Sequence, residues 1–164
     1  MAQIMKTRRW FLASAGVAVV AAGGALWFGG AAARPALEVF KSATCTCCAA
    51  WVTHVQEQGF TAKVVILDEA ALAAKKRALG VPDTLTSCHT ALMAGYVLEG
   101  HVPVPAILRL LDERPEGQGL AVPGMPVGSP GMEVPGQPAD AYDVLLFQKD
   151  GASRVFAHMS GGEG

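Results

Sequence analysis

Charge is sparse in this chain of 164 residues: Asp, Glu, Lys and Arg make up 16%, and the formal net charge is −1. There is no basic run or stripe, which leaves no basis for nucleic-acid binding or for a polybasic membrane surface. Cysteine is scarce as well, at four residues. They are not spread out as a disulfide framework would space them. Length sets a further bound, because a chain of this size builds one domain with a proper core and not two.

What is plentiful is apolar residue, 51% of the total, and much of it sits at the N-terminus. Residues 1–33 read as an export signal, to be set apart from fold reasoning. Thr7-Arg8-Arg9-Trp10-Phe11-Leu12 precedes an uncharged run from Ala13 to Phe28, and Ala31-Ala32-Ala33 supplies a small-residue cleavage pattern. The paired arginines, followed by Phe and Leu, fit a twin-arginine signal, and Gly16, Gly23 and Gly24 keep the run only mildly hydrophobic. An ordinary secretory signal or an uncleaved anchor helix are the alternatives. All three place the remaining domain, residues 34–164, outside the cytoplasm, with the membrane involved only through this segment. Without residues 1–33 the chain loses Lys6, Arg8 and Arg9 and no acid, leaving 10 basic and 14 acidic residues, a net of −4.

From Leu37 onward the pattern becomes that of a folded domain. Leu37–Phe40 alternates and is β-prone, so it predicts a strand. A helix follows to about Gln58, capped by Thr44 or Thr46, with Trp51, Val52 and Val55 inward and Gly59 as its stop. Thr61–Leu67 predicts a strand buried on both faces. Asp68 caps a second helix over Glu69–Leu79, ended by Gly80 and Pro82. Thr90–Met93 and Tyr96–Glu99 form a hairpin through Ala94-Gly95. Pro103 or Pro105 opens a helix through Leu111. Residues 115–141 hold six of the ten prolines and read as a long structured loop. Tyr142–Phe147 and Arg154–His158 close the domain as a hairpin, and Ser160–Gly164 reads as a frayed tail. The order β-α-β-α-β-β-α is that of a thioredoxin-like α/β domain: a central mixed sheet flanked by helices, here with a Pro/Gly-rich loop and an added C-terminal hairpin.

Three of the four cysteines, Cys45, Cys47 and Cys48, fall within four residues at the start of the first helix. The fourth, Cys88, is followed by His89. A helix N-terminus stabilises thiolate, so these sulfurs are both reactive and good ligands. Cys47 and Cys48 project about 100° apart on a helix. They therefore suit bridging, or recruitment of a ligand from elsewhere, better than chelation by themselves. In thioredoxin-like folds the residue entering the third strand faces the Cys-x-x-Cys turn and is usually a cis-proline. Here Pro82 lies too far upstream, so Cys88 or His89 takes that position. Copper(I) accepts two or three thiolates and tolerates shared sulfurs, whereas structural zinc wants four tetrahedral ligands. Against these roles, Cys88 could be a small buried hydrophobe and His89 an ordinary hydrogen-bonded histidine.

Met125 and Met132 lie in two similar turns, Val122-Pro123-Gly124-Met125 and Ser129-Pro130-Gly131-Met132. They could bring thioether sulfur over a copper(I) site, or simply plug the core. Met93 reads as core. His101 and His158-Met159 read as structural, and His54 as lying on a solvated face.

Several of these motifs occur together. Cys45-x-Cys47-Cys48, Ser87-Cys88-His89-Thr90, Gly95-Tyr96-x-x-Glu99-Gly100-His101-Val102-Pro103, Gly119–Pro126 and Gly128–Glu133 resemble the CopG-like periplasmic metal-binding proteins, long catalogued as a domain of unknown function. The resemblance spans about residues 36–158. It implies a thioredoxin-like fold, copper bound through the cysteine cluster, and a role in copper resistance. The ligand positions carried over are Cys45, Cys47, Cys48 and Cys88, with His89 beside them.

The expectation is an exported, periplasmic copper-binding protein that holds one or more copper ions as Cu(I), for sequestration or for conversion between oxidation states. Its partners would be copper ions and other periplasmic copper-handling proteins. A thiol–disulfide oxidoreductase using Cys45 and Cys48 is a second reading. A zinc-bound partner-binding module is a third.

Overall fold

The computed structural model describes residues 34–160, so the expected export signal lies outside the described residues. Leu37–Lys41 forms β1. Helix α1 spans Thr46–Glu57 and buries Cys48, Trp51, Val52 and Val55, the i, i+3, i+4, i+7 stripe of a helix packed on a sheet. Its N-cap is Cys45 in extended conformation with no side-chain cap bond, not a threonine as expected. Gly59, at φ +85°, turns the chain out of the helix. β2 (Ala62–Ile66) runs parallel to β1. Asp68 accepts from the Ala71 N–H and caps α2 (Glu69–Ala78). A 3-10 turn at Asp83–Leu85 then leads to β3 (Thr90–Met93). Ala94 and Gly95, both at positive φ, reverse the chain into β4 (Tyr96–Gly100). α3 (Val104–Glu113) starts after Pro103 and ends at Arg114 in the left-handed region.

Three strands follow: β5 (Gly119–Val122), β6 (Tyr142–Phe147) and β7 (Ser153–Met159). The result is one mixed sheet of seven strands in the order β2-β1-β3-β4-β5-β6-β7. Parallel pairing is confined to β1 with β2 and β4 with β5; the other neighbours are antiparallel.

Side chains alternate across the central strands. Leu98, Leu120 and Leu146 join a large apolar cluster with Trp51 and Val55 of α1 and Ile107 and Leu110 of α3. Val97, Ala121 and Phe147 turn to the opposite face, against Val81 and Leu85. Among the described residues, no helix is long and apolar enough to cross a membrane.

Two elements differ from expectation. Gly119–Val122 lies in what read as a loop, yet it is a fully buried strand between β4 and β6. Four residues buried on both faces carry no alternation, and the surrounding Pro and Gly mask them. β2 was expected to be covered on both faces. It is an edge strand instead, with Val64 41% and Ile66 52% exposed.

Candidate metal centre

The connection after β1 delivers Cys45 to the N-terminal end of α1, and one helical turn carries Cys47 and Cys48 with it. Cys48 faces the core and is fully buried, while Cys45 and Cys47 are half-buried. Cys45 and Cys48 are joined as a disulfide. Cys47 is free, with its Sγ 3.4 Å from that of Cys45.

Cys88 arrives from the other side of the sequence, between the 3-10 turn and β3. The Sγ atoms of Cys45, Cys47, Cys48 and Cys88 all lie within 4.8 Å of one another. The remote thiol thus stands at the cluster, as the sequence led one to expect. His89 follows it into β3 and is fully buried, with Nδ1 3.4 Å from the Cys88 sulfur.

His101, which read as structural, belongs here as well. Gly100 at φ +73° swings the chain off β4 and buries His101 completely. Its Nε2 sits 3.1 Å from the Cys88 sulfur, and its Nδ1 lies 2.7 Å from the Pro130 carbonyl oxygen. A carbonyl can only accept, so Nδ1 carries the proton and Nε2 turns its lone pair toward Cys88. Cys88, His89 and His101 make a second group whose ligand atoms lie within 4.8 Å of one another. It shares its sulfur with the first.

Burial decides the protonation of all three. It drives His89 well below the ordinary histidine value, with the charges of His101, Lys76 and Lys41 adding to the effect. Burial also lowers His101, against the opposing pull of the Pro130 carbonyl and Glu133. Both imidazoles are therefore neutral, the form that ligates metal. The Cys88 thiol is pushed up to about 12, first by burial and then by the charge and hydrogen bond of Cys47. A cation at the cluster is what would make a thiolate of it. The donor set fits a soft ion: crowded sulfurs, two neutral imidazoles, and a buried His89 Nε2 with no hydrogen-bond partner among the described residues.

The Pro/Gly-rich segment straps the site from above. Beyond the Pro130 bond, a Cβ at Gly131 would come within 2.7 Å of the Trp51 backbone nitrogen and 2.9 Å of the Cys47 carbonyl oxygen, so only glycine fits against α1 there. The Met132 N–H donates to the Ser129 carbonyl, and its side chain is half-buried. Met125 sits at φ +50° and is 40% exposed. His158 pairs with Asp143 on β6 and β7 at the far end of the sheet. His54 is half-buried on α1. A cleft of about 390 Å³ opens beside the cluster, with Cys45, Cys88, Thr44, Ser87, Lys76 and Arg77 among its walls.

His101 read as structural more readily than as a ligand, and the structure places it beside Cys88 and His89. The available signal was its place after Gly100, a residue whose positive φ redirects the chain.

Residues 85–132 match a family described as "Protein of unknown function, DUF411". Comparison with curated proteins gave no match. Among solved structures, one titled "Copper resistance protein copG- Form 2" is 43% identical, with a TM-score of 0.70, over 77% of this chain and 98% of that one. Another, "Copper resistance protein copG- Form 1", is 41% identical with the same TM-score, over 78% of this chain and 99% of that one. At that identity, over nearly the whole of the solved chains, the protein belongs to the CopG family.

Proposed function

We propose that this chain is an exported copper-binding protein that holds Cu(I) through Cys45, Cys47, Cys48 and Cys88, with His89 and His101 alongside, for copper sequestration and resistance. The observation that carries this reading is the meeting of four sulfurs from two distant stretches, with two neutral imidazoles on the shared Cys88. Thiolates prefer Cu(I), and imidazoles also serve Cu(II), so the donor set suits conversion between the two states. Copper resistance in the titles of the related structures agrees with copper as the cargo. Before all four sulfurs can bind, an external dithiol must reduce the Cys45–Cys48 disulfide, giving up two electrons and two protons and leaving as a disulfide itself. Met125 and Met132 are proposed to supply thioether sulfur from the strap.

The fold we assign is thioredoxin-like. Support comes from the order β1-α1-β2-α2-β3-β4-α3 with strands arranged β2-β1-β3-β4, to which β5 and the terminal hairpin β6–β7 are additions. Export to the periplasm rests on the sequence of residues 1–33, and the metal-binding domain is taken as residues 34–164.

Metal analysis of protein reduced and purified anaerobically tests the reading. Copper at one or more equivalents per chain, lost in Cys47→Ser and Cys88→Ser, supports it. Copper uptake indifferent to both substitutions, or zinc at one equivalent that survives mild oxidation, contradicts it.

A second reading has its own observation: a disulfide at a helix N-terminus, with Cys45 lining a cleft, is the arrangement of a thiol–disulfide oxidoreductase. Insulin reduction that is complete in Cys47→Ser and Cys88→Ser but absent in Cys45→Ser selects that reading instead.

A further inference from the structure

On the face of the sheet opposite α1 and α3, the apolar layer is interrupted by two buried charges. Glu99 of β4 is fully buried and Lys76 of α2 is 5% exposed, and they meet at 2.6 Å. Taking two charges out of water is costly, and apolar residues of the same volume often serve stability equally well. Stability alone therefore gives no reason for this pair.

Where its other hydrogen bonds go does give one. The Glu99 carboxylate accepts the Ser87 N–H at 2.6 Å and the Thr90 hydroxyl, and Lys76 donates to the Thr90 hydroxyl at 2.8 Å. Apart from the ion pair itself, every bond of this network ends on Ser87 or Thr90, the residues that bracket Cys88 and His89. The neighbouring Gly100 fastens the same segment. Its N–H donates to the His89 carbonyl at 2.9 Å, and a Cβ there would come within 2.6 Å of the Ser87 hydroxyl.

We propose that the Lys76–Glu99 pair is a positioning device for the metal centre, clamping Ser87–Thr90 so that Cys88 and His89 are held at Cys45, Cys47 and Cys48. The hydrogen bonds of the pair go to Ser87, to Thr90 and to each other, and not to a cysteine of the cluster. Glu99 acts through the Ser87 N–H and Thr90, and Lys76 holds the carboxylate in place from α2. As a copper device the clamp rests on the copper reading above; as a device that fixes Cys88 it does not.

Two double substitutions separate positioning from stability. Lys76→Met with Glu99→Gln removes both charges yet keeps an oxygen to accept the Ser87 N–H. Lys76→Met with Glu99→Leu removes the charges and the acceptor together. The readouts are thermal stability, alkylation rate of Cys88 in the copper-free disulfide form followed by peptide mass mapping, and Cu(I) affinity of the reduced protein by chelator competition. Loss of outer hydrogen-bond partners typically weakens a metal site about 10–100-fold. The Met/Gln protein, which keeps the acceptor for the Ser87 N–H but loses the hold of Lys76 on it, is expected to fall between the native chain and the Met/Leu protein in labelling and in affinity. The Met/Leu protein is expected to label at least about tenfold faster at Cys88 and to lose at least about tenfold in Cu(I) affinity. Because single removal of one partner strands the other charge, only the doubles are compared.

Native-like labelling and affinity in the Met/Leu protein would overturn the proposal. So would equal losses in both doubles, which would mean a merely structural pair. If the Met/Leu protein does not fold, Thr90→Val takes its place, and unchanged Cys88 labelling in that variant overturns the clamp. A native chain that takes up no Cu(I), with Cys88 labelling still differing between the doubles, sinks the copper reading and leaves the clamp standing.

Discussion

His89 and His101 are both fully buried, and burial holds each below the ordinary histidine value of 6.5. The unfolded chain therefore takes up protons that the folded chain refuses once pH falls below that value. Their contribution is intact above pH 6.5 and is lost progressively beneath it, by up to about 1.4 kcal/mol per pH unit for each histidine. The urea midpoint of the copper-free protein should fall between pH 7 and pH 5, and His89→Gln with His101→Gln should flatten the profile. Identical profiles for the native and doubly substituted chains would mean that the imidazoles are not buried as described, a comparison that cancels the opposite contribution of buried Glu99. The two methionines of the strap make a separate case. If Met125 and Met132 supply sulfur, replacing both with Leu should weaken Cu(I) affinity by chelator competition while the melting temperature of the copper-free protein barely moves, since the volumes are similar. A loss of stability with unaltered affinity would make them packing residues. At this scale the sequence was informative where chemistry is concentrated: Cys45, Cys47, Cys48 and Cys88 stood out by type and spacing. His101 did not, because one histidine after a glycine carries no signal until the backbone turn buries it beside Cys88.

The elements that matter most are α1, which presents three cysteines, and the strap that crosses it. Pro130 and Gly131 tie the strap down, one through the His101 ring and the other through bare contact with the backbone of α1. Gly131→Ala places a methyl group against the Trp51 nitrogen and the Cys47 carbonyl at a backbone φ of +84°, so the strap must lift. Overpacking of this kind costs about 1–3 kcal/mol. It should also speed alkylation of Cys47 in the copper-free protein. The same change at Gly124, also at positive φ but with nothing within 4 Å, controls for backbone strain. Equal labelling rates in the two variants would show that the strap does not guard the site. Strongly patterned elements were readable from sequence, including α1, α2 and the β3–β4 pair. β5 was not, because four residues with no alternation in a Pro/Gly-rich stretch gain strand character only from β4 and β6 on either side. The exposure of β2 was equally invisible, since a run such as Val64-Val65-Ile66 fits a central strand as well as an edge.

For the molecule as a whole, the sheet fixes what two stretches of sequence, Cys45–Cys48 and Cys88-His89, can do together. β1 and β3 are neighbours, and each leads to or from a cysteine, so pairing them sets Cys88 against the start of α1. The class of fold and the remote thiol could be inferred from element order. The depth of the site could not, because it depends on which side chains the strap and β4 bury. The most direct test is X-ray absorption at the copper edge on fully reduced protein loaded with Cu(I), alongside Cys88→Ser. The account predicts a first shell dominated by sulfur with some nitrogen, and a reduced sulfur count in the variant. A shell of oxygen and nitrogen alone, or identical spectra for the two proteins, would contradict it.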